Sequence, residues 1–369
     1  MSSATLLRRI LDSPGIHQCP ACFDALSAKL IDRAGFQCSL SGGFSISAAR
    51  LGMPDAGLIS YGEMLEQGRL ITQAVSIPVI GDADTGYGNA MNVKRTVKEY
   101  IRAGFAGIML EDQVSPKACG HTQGRRVVSR EEAVMRIKAA VDARKESGSD
   151  IVIVARTDSR QAVSFEEAIW RTKAFADAGA DLLLITALTS KEEMKSFCET
   201  SPSVPKLANM LEGGGKTPIL SPSELEEIGY KVVLYPLSLL GVSIRAMQDA
   251  LTSIKSGHIP QESMPSFEEM KEILGFNEYY EEDNMEIVVL GSRWRVGSGE
   301  NINGIKDRWL PRPLSFKPFI KLEIPIDNNV VNLIFTNGDW DAGFLRVVFD
   351  EDDDELILGI PSGSLDMKR

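Results

Sequence analysis

The strongest constraint on this 369-residue chain is a rhythm. From Gln18 to Pro236, short apolar runs alternate with amphipathic stretches of helical period. The runs are Gln18–Ala21, Cys38–Leu40, Val79–Ala83, Gly107–Leu110, Ile151–Arg156, Leu182–Thr186, Lys206–Met210 and Lys231–Tyr235. Each is too short for a helix and most are rich in Val, Ile or Leu, so they read as strands. Tyr61–Val75, Asn92–Ala103, Ser129–Ser147, Phe165–Ala178 and Lys191–Glu199 read as helices between them. Ser129 with Glu132, and Ser221-Pro222 with Glu224, supply helix-start chemistry. Ala-Gly pairs at Ala34-Gly35, Ala103-Gly104 and Ala178-Gly179 stop helices just before the next run. Strand–helix units in that number imply an α/β fold, a TIM-type (β/α)8 barrel with right-handed crossovers. The alternative, an open doubly wound sheet, lacks a Gly-x-Gly-x-x-Gly turn after the first strand. Further helices are expected at Leu239–Lys255 and Phe267–Leu274.

Composition narrows the partners. With a formal net charge of -11 and a pI near 5.0, the chain lacks the basic surface that nucleic acid requires. A local field still allows an anionic substrate. No apolar run approaches the length of about 18 residues that a membrane span needs. The 5 cysteines are an odd number in a long chain, which argues against a disulfide framework and for a reducing, cytoplasmic setting.

In a barrel of this kind, function gathers at the C-terminal ends of the strands. Those ends carry Ser41-Gly42-Gly43, Asp82 and Asp84, Glu111 and Asp112, Arg156, and Asn209. Asp82 and Asp84 are two apart, so their carboxylates face the same way along a strand. With Glu111 they suit a hard divalent cation such as Mg2+. The loop Glu111–His121 places Lys117, Cys119 and His121 at alternate positions, and a thiol flanked by cations is able to trade a proton. Two other strings carry no such weight. Cys19 and Cys22 point to opposite faces of a strand and have no second pair, so zinc is not implied. Gly213-Gly214-Gly215-Lys216-Thr217 lacks the first glycine of a phosphate-binding loop and reads instead as a loop that closes on substrate.

Gly81–Gly88, the Lys-x-Cys-Gly-His core at Lys117–His121, Ala155–Asp158 and Asn209–Gly214 resemble the isocitrate lyase / phosphoenolpyruvate mutase superfamily. The similarity runs from Met1 to about Asn284 and is strongest to plant carboxyvinyl-carboxyphosphonate phosphorylmutase-like and petal death protein-like members, which leaves a plastid location open. The resemblance implies that Asp82 and Asp84 hold magnesium. It implies that Ser41, Gly42, Gly43, Phe44, Asp55, Gly120, His121, Arg156 and Asn209 meet the substrate, with Glu111 and Lys117 in the catalytic set. Cys119 would be the general acid on a mobile loop. The implied reaction is cleavage of a C–C bond in a small 2-oxo or 2-hydroxy dicarboxylic acid, by an enzyme assembled as a homotetramer whose last barrel helix is often exchanged between subunits. The alternatives are phosphoryl-mutase chemistry on a P–C compound and a catalytically weakened relative. Two positions depart from the family pattern. Ser41 sits one residue early, and Thr186 stands where relatives carry Asp or Glu.

Beyond Asn284 the texture changes. Trp294, Trp309 and Trp340 gather there with several prolines and the acidic run Asp350–Glu355. Gly291–Gly299, Lys306–Pro311 and Gly338–Trp340 resemble the region after the reverse transcriptase domain of plant non-LTR retroelements. Residues 285–369 are therefore expected to be a separate, non-catalytic, poorly structured tail.

Overall fold

The alternation of runs and helices resolves into eight parallel strands. In the computed structural model, which describes residues 2–118 and 124–280, these are β1 (His17–Cys22), β2 (Ser39–Ser41), β3 (Val79–Asp82), β4 (Gly107–Glu111), β5 (Val152–Thr157), β6 (Leu182–Ile185), β7 (Leu207–Asn209) and β8 (Val232–Tyr235). They pair in the continuous order β6-β5-β4-β3-β2-β1-β8-β7. The two ends of that order meet through a parallel bridge between Leu183 and Lys206 and a 3.1 Å hydrogen bond from Leu183 N–H to the Pro205 carbonyl. An open sheet has no such contact, so the ring is a (β/α)8 barrel.

Helix α1 (Ser3–Asp12) precedes the ring, and the crossovers carry α2 (Ala25–Arg33), α3 (Gly43–Leu51), α4 (Tyr61–Gln73), α5 (Ala90–Arg102), α6 (Arg130–Glu146), α7 (Ser159–Ala162), α8 (Phe165–Asp177), α9 (Lys191–Glu199) and α10 (Pro222–Ile228). After β8 comes α11 (Ser238–Lys255). The foreseen starts are real caps. Ser129 Oγ accepts the Glu132 N–H at 3.2 Å, and Ser221 and Glu224 cap each other reciprocally.

The barrel core has two layers that follow strand periodicity. Val152 and Val154 of β5 pack inside the ring with Leu40, Ile80, Met109, Leu182, Leu184 and Leu234. Their neighbours Ile151, Ile153 and Ala155 pack outward against the helices. Cys19 faces inward and Cys22 outward, so the C-x-x-C is split between the two layers. Leu7 of α1 is fully buried in the inner cluster, and a Cβ added at Gly107 would lie 3.1 Å from it.

The chain divides into two compact units, Met1–Ser263 and Met264–Arg369. In the second unit the described residues form α12 (Phe267–Leu274). The tail at 285–369 lies outside the described residues, as do Cys119, Gly120 and His121. Among the described residues no helix is long and apolar enough to cross a membrane.

Candidate active site

Asp82 ends β3 and is buried. Its Oδ2 accepts the Gly43 N–H at 3.1 Å, and its Oδ1 accepts the Asp84 N–H at 3.1 Å. Asp84 lies past the strand, so simple alternation does not aim it. Its backbone is left-handed, with φ 47°, and the turn swings the carboxylate back to the mouth. Tyr87, also left-handed at φ 63°, donates its hydroxyl to Asp84 Oδ2 at 3.2 Å. Lys117 is buried beside them. Its Nζ stands 2.8 Å from Asp55 Oδ1 and also contacts Asp84 Oδ1. Burial by itself would lower the Lys117 pKa, but Asp84, Asp82, Asp55 and Glu111 together push it well above its ordinary value.

The next two strands supply a second charged group. Arg156 Nη1 reaches Glu111 Oε2 at 3.0 Å. Asp158 takes the other edge of the guanidinium, accepting from Nε at 2.9 Å and Nη2 at 3.1 Å. Arg136 of α6 donates to the carbonyls of Glu111 at 3.2 Å and Gln113 at 2.9 Å, fixing the end of β4 from behind. The segment that follows is closed at its base. Val114 N–H meets the Arg126 carbonyl and Val128 N–H meets the Asp112 carbonyl, each at 2.9 Å. Lys117 therefore belongs to an excursion that leaves and returns to the β4 mouth.

The third contribution is α3. Gly42 caps it, and a Cβ at Gly43 would come within 2.8 Å of Asp82 Oδ2. Glycine is thus required where the helix start meets the carboxylate. Ser41, Gly42 and Gly43, expected to meet the substrate, each have a partner within the protein. The Ser41 hydroxyl accepts the Asp82 N–H at 3.3 Å, the Gly42 N–H goes to the Cys22 carbonyl at 3.0 Å, and the Gly43 N–H goes to Asp82. Ser41 and Gly43 thus brace Asp82, while Gly42 ties the start of α3 to the end of β1. The first-turn amides of Phe44 and Ser45 follow, which have no carbonyl four residues earlier within the helix.

These elements enclose a cleft of about 60 Å³ lined by Gly42, Gly43, Phe44, Asp55, Asp82, Arg156, Thr186 and Asn209, with Leu184, Leu211, Leu234, Pro236 and Leu237. Its size suits a small acid better than a nucleotide. Three buried polar atoms at strand ends have no hydrogen-bond partner among the described residues: Glu111 Oε1, Thr186 Oγ1 and Asn209 Oδ1. Orphans of that kind mark positions where a ligand completes the bonding. Glu212, a candidate substitute for the carboxylate missing at Thr186, is committed elsewhere. It accepts the Leu237 N–H at 3.0 Å and the Ser238 hydroxyl at the start of α11.

Carboxylates outnumber cations at the mouth. Asp55, Asp82, Asp84 and Glu111 face Lys117 and Arg156, since Asp158 is taken up with Arg156. Burial raises the Asp82 pKa and raises that of Glu111 well above the carboxylate range, with Lys117 and Arg156 pulling the other way. Among the described residues no three Asp, Glu, His or Cys side chains converge closely enough to cage a metal. Magnesium takes few protein ligands and keeps several waters. Surplus buried carboxylate oxygens without a cage therefore fit it.

Sequence reading named Arg156 but gave no role to Asp158, which grips it, nor to Tyr87 on Asp84. The Arg-x-Asp spacing at a strand end, two residues apart on one face, was the available signal for Asp158. Nothing local announces Tyr87, because its reach depends on the left-handed turn.

Comparison with known proteins gives a consistent picture. The family model described as phosphoenolpyruvate phosphomutase matches residues 7–255. The 2,3-dimethylmalate lyase of Eubacterium barkeri is 43% identical over 284 residues, spanning 76% of this chain and 97% of that protein. A structure of oxaloacetate acetylhydrolase with the inhibitor 3,3-difluorooxalacetate aligns with a TM-score of 0.74 at 34% identity, covering 77% of this chain and 97% of the other. A phosphonopyruvate hydrolase complex with oxalate and Mg++ aligns with a TM-score of 0.68 at 31% identity, covering 76% of this chain and 97% of the other.

Proposed function

The chain belongs to the phosphoenolpyruvate phosphomutase family, in the isocitrate lyase/PEP mutase superfamily, and from that premise we propose that it is a magnesium-dependent lyase or hydrolase that cleaves a C–C bond in a small 2-oxo or 2-hydroxy dicarboxylic acid. The observation that carries this reading is the pairing, across one small cleft, of Arg156 and surplus carboxylates with the Thr186 and Asn209 oxygens, which have no hydrogen-bond partner among the described residues.

Asp82 and Asp84 would hold Mg2+, directly or through water, braced by Gly43 and Tyr87. When bound, the ion supplies positive charge that polarises the 2-oxygen of the substrate. Arg156 clamps a substrate carboxylate, and the start of α3 offers amide donors to the same anion. Lys117 keeps Asp55 and Asp84 in place and stays charged. Cleavage would turn the 2-hydroxyl, or the hydrate that water forms from a 2-oxo group, into a carbonyl, its proton passing to a carboxylate of the mouth. The electron pair is left on the carbon next to the departing fragment's carboxylate, and the Cys119 thiol would give that carbon its proton. Gly120 and His121, next to that thiol, complete the binding set in this reading.

A homotetramer is part of the proposal. It is supported by α11, which leaves Val242, Ile244, Met247, Leu251 and Ile254 exposed on the subunit. Residues 285–369 are proposed to be a non-catalytic appendage, so a chain ending at Asn284 should keep activity and assembly.

The deciding experiment is a screen of oxaloacetate, alkylmalates, methylisocitrate and carboxyphosphonoenolpyruvate with product detection, with and without magnesium. Magnesium-dependent release of a shorter acid from a dicarboxylate is expected. Phosphonate rearrangement alone, or no turnover of any diacid, would overturn the lyase reading.

A further inference from the structure

Arg171 sits on α8, an outer helix, and is 3% exposed. It does not line the cleft. Its Nη1 donates to Asp112 Oδ2 at 3.1 Å, its Nη2 to the Val128 carbonyl at 2.7 Å, and its Nε to Glu167 Oε1 at 2.7 Å. Asp112 is itself buried and does not line the cleft. It reaches across to the end of β5, where Oδ2 accepts the Thr157 hydroxyl at 2.6 Å and Oδ1 accepts the Asp158 N–H at 2.9 Å. The Asp158 side chain in turn holds Arg156 along one edge. The result is one unbroken line of contacts, Glu167 to Arg171 to Asp112 to Asp158 to Arg156, running from the outer helix to the cleft.

Such a line is costly as plain scaffolding. Two buried carboxylates, Asp112 and Asp158, lie close together, and apolar residues of equal volume would fill the space without that repulsion. What the line does provide is geometry. A guanidinium held by Asp158 on Nε and Nη2 cannot pivot, and its remaining edge faces Glu111 and the cleft. Asp112 fixes the backbone of Asp158 through its N–H, while Arg125 Nη1 stands 3.7 Å from Asp158 Oδ1 at the side-chain end.

We propose that Asp112, anchored by Arg171, is a positioning residue that sets the orientation of the Arg156 guanidinium toward the substrate carboxylate without touching substrate itself. This rests on the reading of Arg156 as the carboxylate clamp. The unit couples α8 to the chemistry, so changes on an outer helix reach the site through a defined path.

The test is a double-mutant cycle on the full chain, with magnesium present, reading oxalate affinity and turnover. Arg156→Lys is expected to weaken oxalate at least tenfold. Asp112→Asn, which keeps the shape and removes the charge, is expected to weaken it by a similar factor. The double variant should show no further loss, because Asp112 acts only through Arg156. A purely structural Asp112 would give losses that multiply, and that result overturns the proposal. If Asp112→Asn does not fold, Thr157→Val deletes the hydroxyl that donates to Asp112 at 2.6 Å, together with its contacts to the Ser159 hydroxyl at 2.7 Å and the Ser159 N–H at 3.2 Å. It should cost about threefold in the native background and nothing in the Arg156→Lys background; multiplying losses there overturn the proposal equally. An Arg156→Lys protein with unchanged oxalate binding overturns the clamp and the positioning role together, whereas a weakened Arg156→Lys with multiplying losses overturns the positioning role alone.

Discussion

The two walls of the cleft are built on opposite plans. On the β3, β4 and β5 side stand Asp82, Asp84, Glu111 and Arg156, and each has a charged or polar partner in reach, from Lys117 on Asp84 to Asp158 on Arg156. On the β6, β7 and β8 side stand Thr186 and Asn209 with oxygens that have no partner among the described residues, set between Leu184, Leu234, Pro236 and Leu237. Charges are expensive to bury, so the first wall fixes them in mutual contact before any ligand arrives. Neutral orphans cost less, so the second wall is free to wait for the ligand. On the proposed function, the first wall would govern whether the reaction occurs and the second which acid enters.

The largest effect should come from taking the charged wall apart. Asp84→Ala, or excess chelator on the native protein, should reduce turnover to background. The fold survives Asp84→Ala because Lys117 keeps Asp55 as a partner at 2.8 Å. Full turnover in chelator would remove magnesium from the account. Lys117→Met tests the same wall through stability. It leaves Asp55 and Asp84 buried without their cation, and loss of one member of such a buried pair costs about 3–5 kcal/mol. A thermal melt within a degree of the native protein would show that Lys117 does not hold this wall together.

Cys119→Ala tests the proposed proton donor. As the proton donor, Cys119 should be worth at least roughly a hundredfold in turnover, with oxalate affinity changed far less. Turnover close to native would return Cys119 to an ordinary structural thiol. Thr186→Asp would carry the first wall's plan onto the second. A carboxylate there is expected to tighten magnesium several-fold by adding an anionic oxygen to the cleft, read by titration of activity against the metal. Unchanged magnesium dependence would place Thr186 out of reach of the metal site.

How much of this was legible follows from how local each feature is. The strands were, because β5 writes its two faces as alternating residues from Ile151 to Ala155. Boundaries moved only where pairing decides them: β2 extends to Ser41 because Ser41 pairs with Gly81. That shift puts the Ser41 hydroxyl against the Asp82 backbone, a placement no string of residues displays. That Asp82, Glu111, Arg156 and Asn209 stand at or near strand ends is legible from the run boundaries alone. Arg171 was not legible, since it lies in a helix whose pattern is satisfied by any long polar residue, and its partner Asp112 is remote in sequence. Thr186 was noticed only as a departure from relatives, and its orphaned hydroxyl needed the cleft to be seen.

The smallest expected effect is the one that separates the two walls most cleanly. Thr186→Val keeps the branched shape and deletes the hydroxyl. On the charged wall the removal of Lys117 strands Asp55 and Asp84, so stability and activity fall together. Thr186 Oγ1 has no partner to strand among the described residues, and a buried hydroxyl without one carries a desolvation penalty of about 1–3 kcal/mol. The variant should therefore melt at the native temperature or a few degrees above it. The same hydroxyl, if it bonds the substrate, contributes about 1 kcal/mol to binding, which corresponds to roughly fivefold in KM with kcat little changed. Higher stability with weaker substrate binding is the signature of a group kept for its ligand. A melt lowered by several degrees would mean that Thr186 is structurally bonded. An unchanged KM would mean that the neutral wall does not touch the acid at this position.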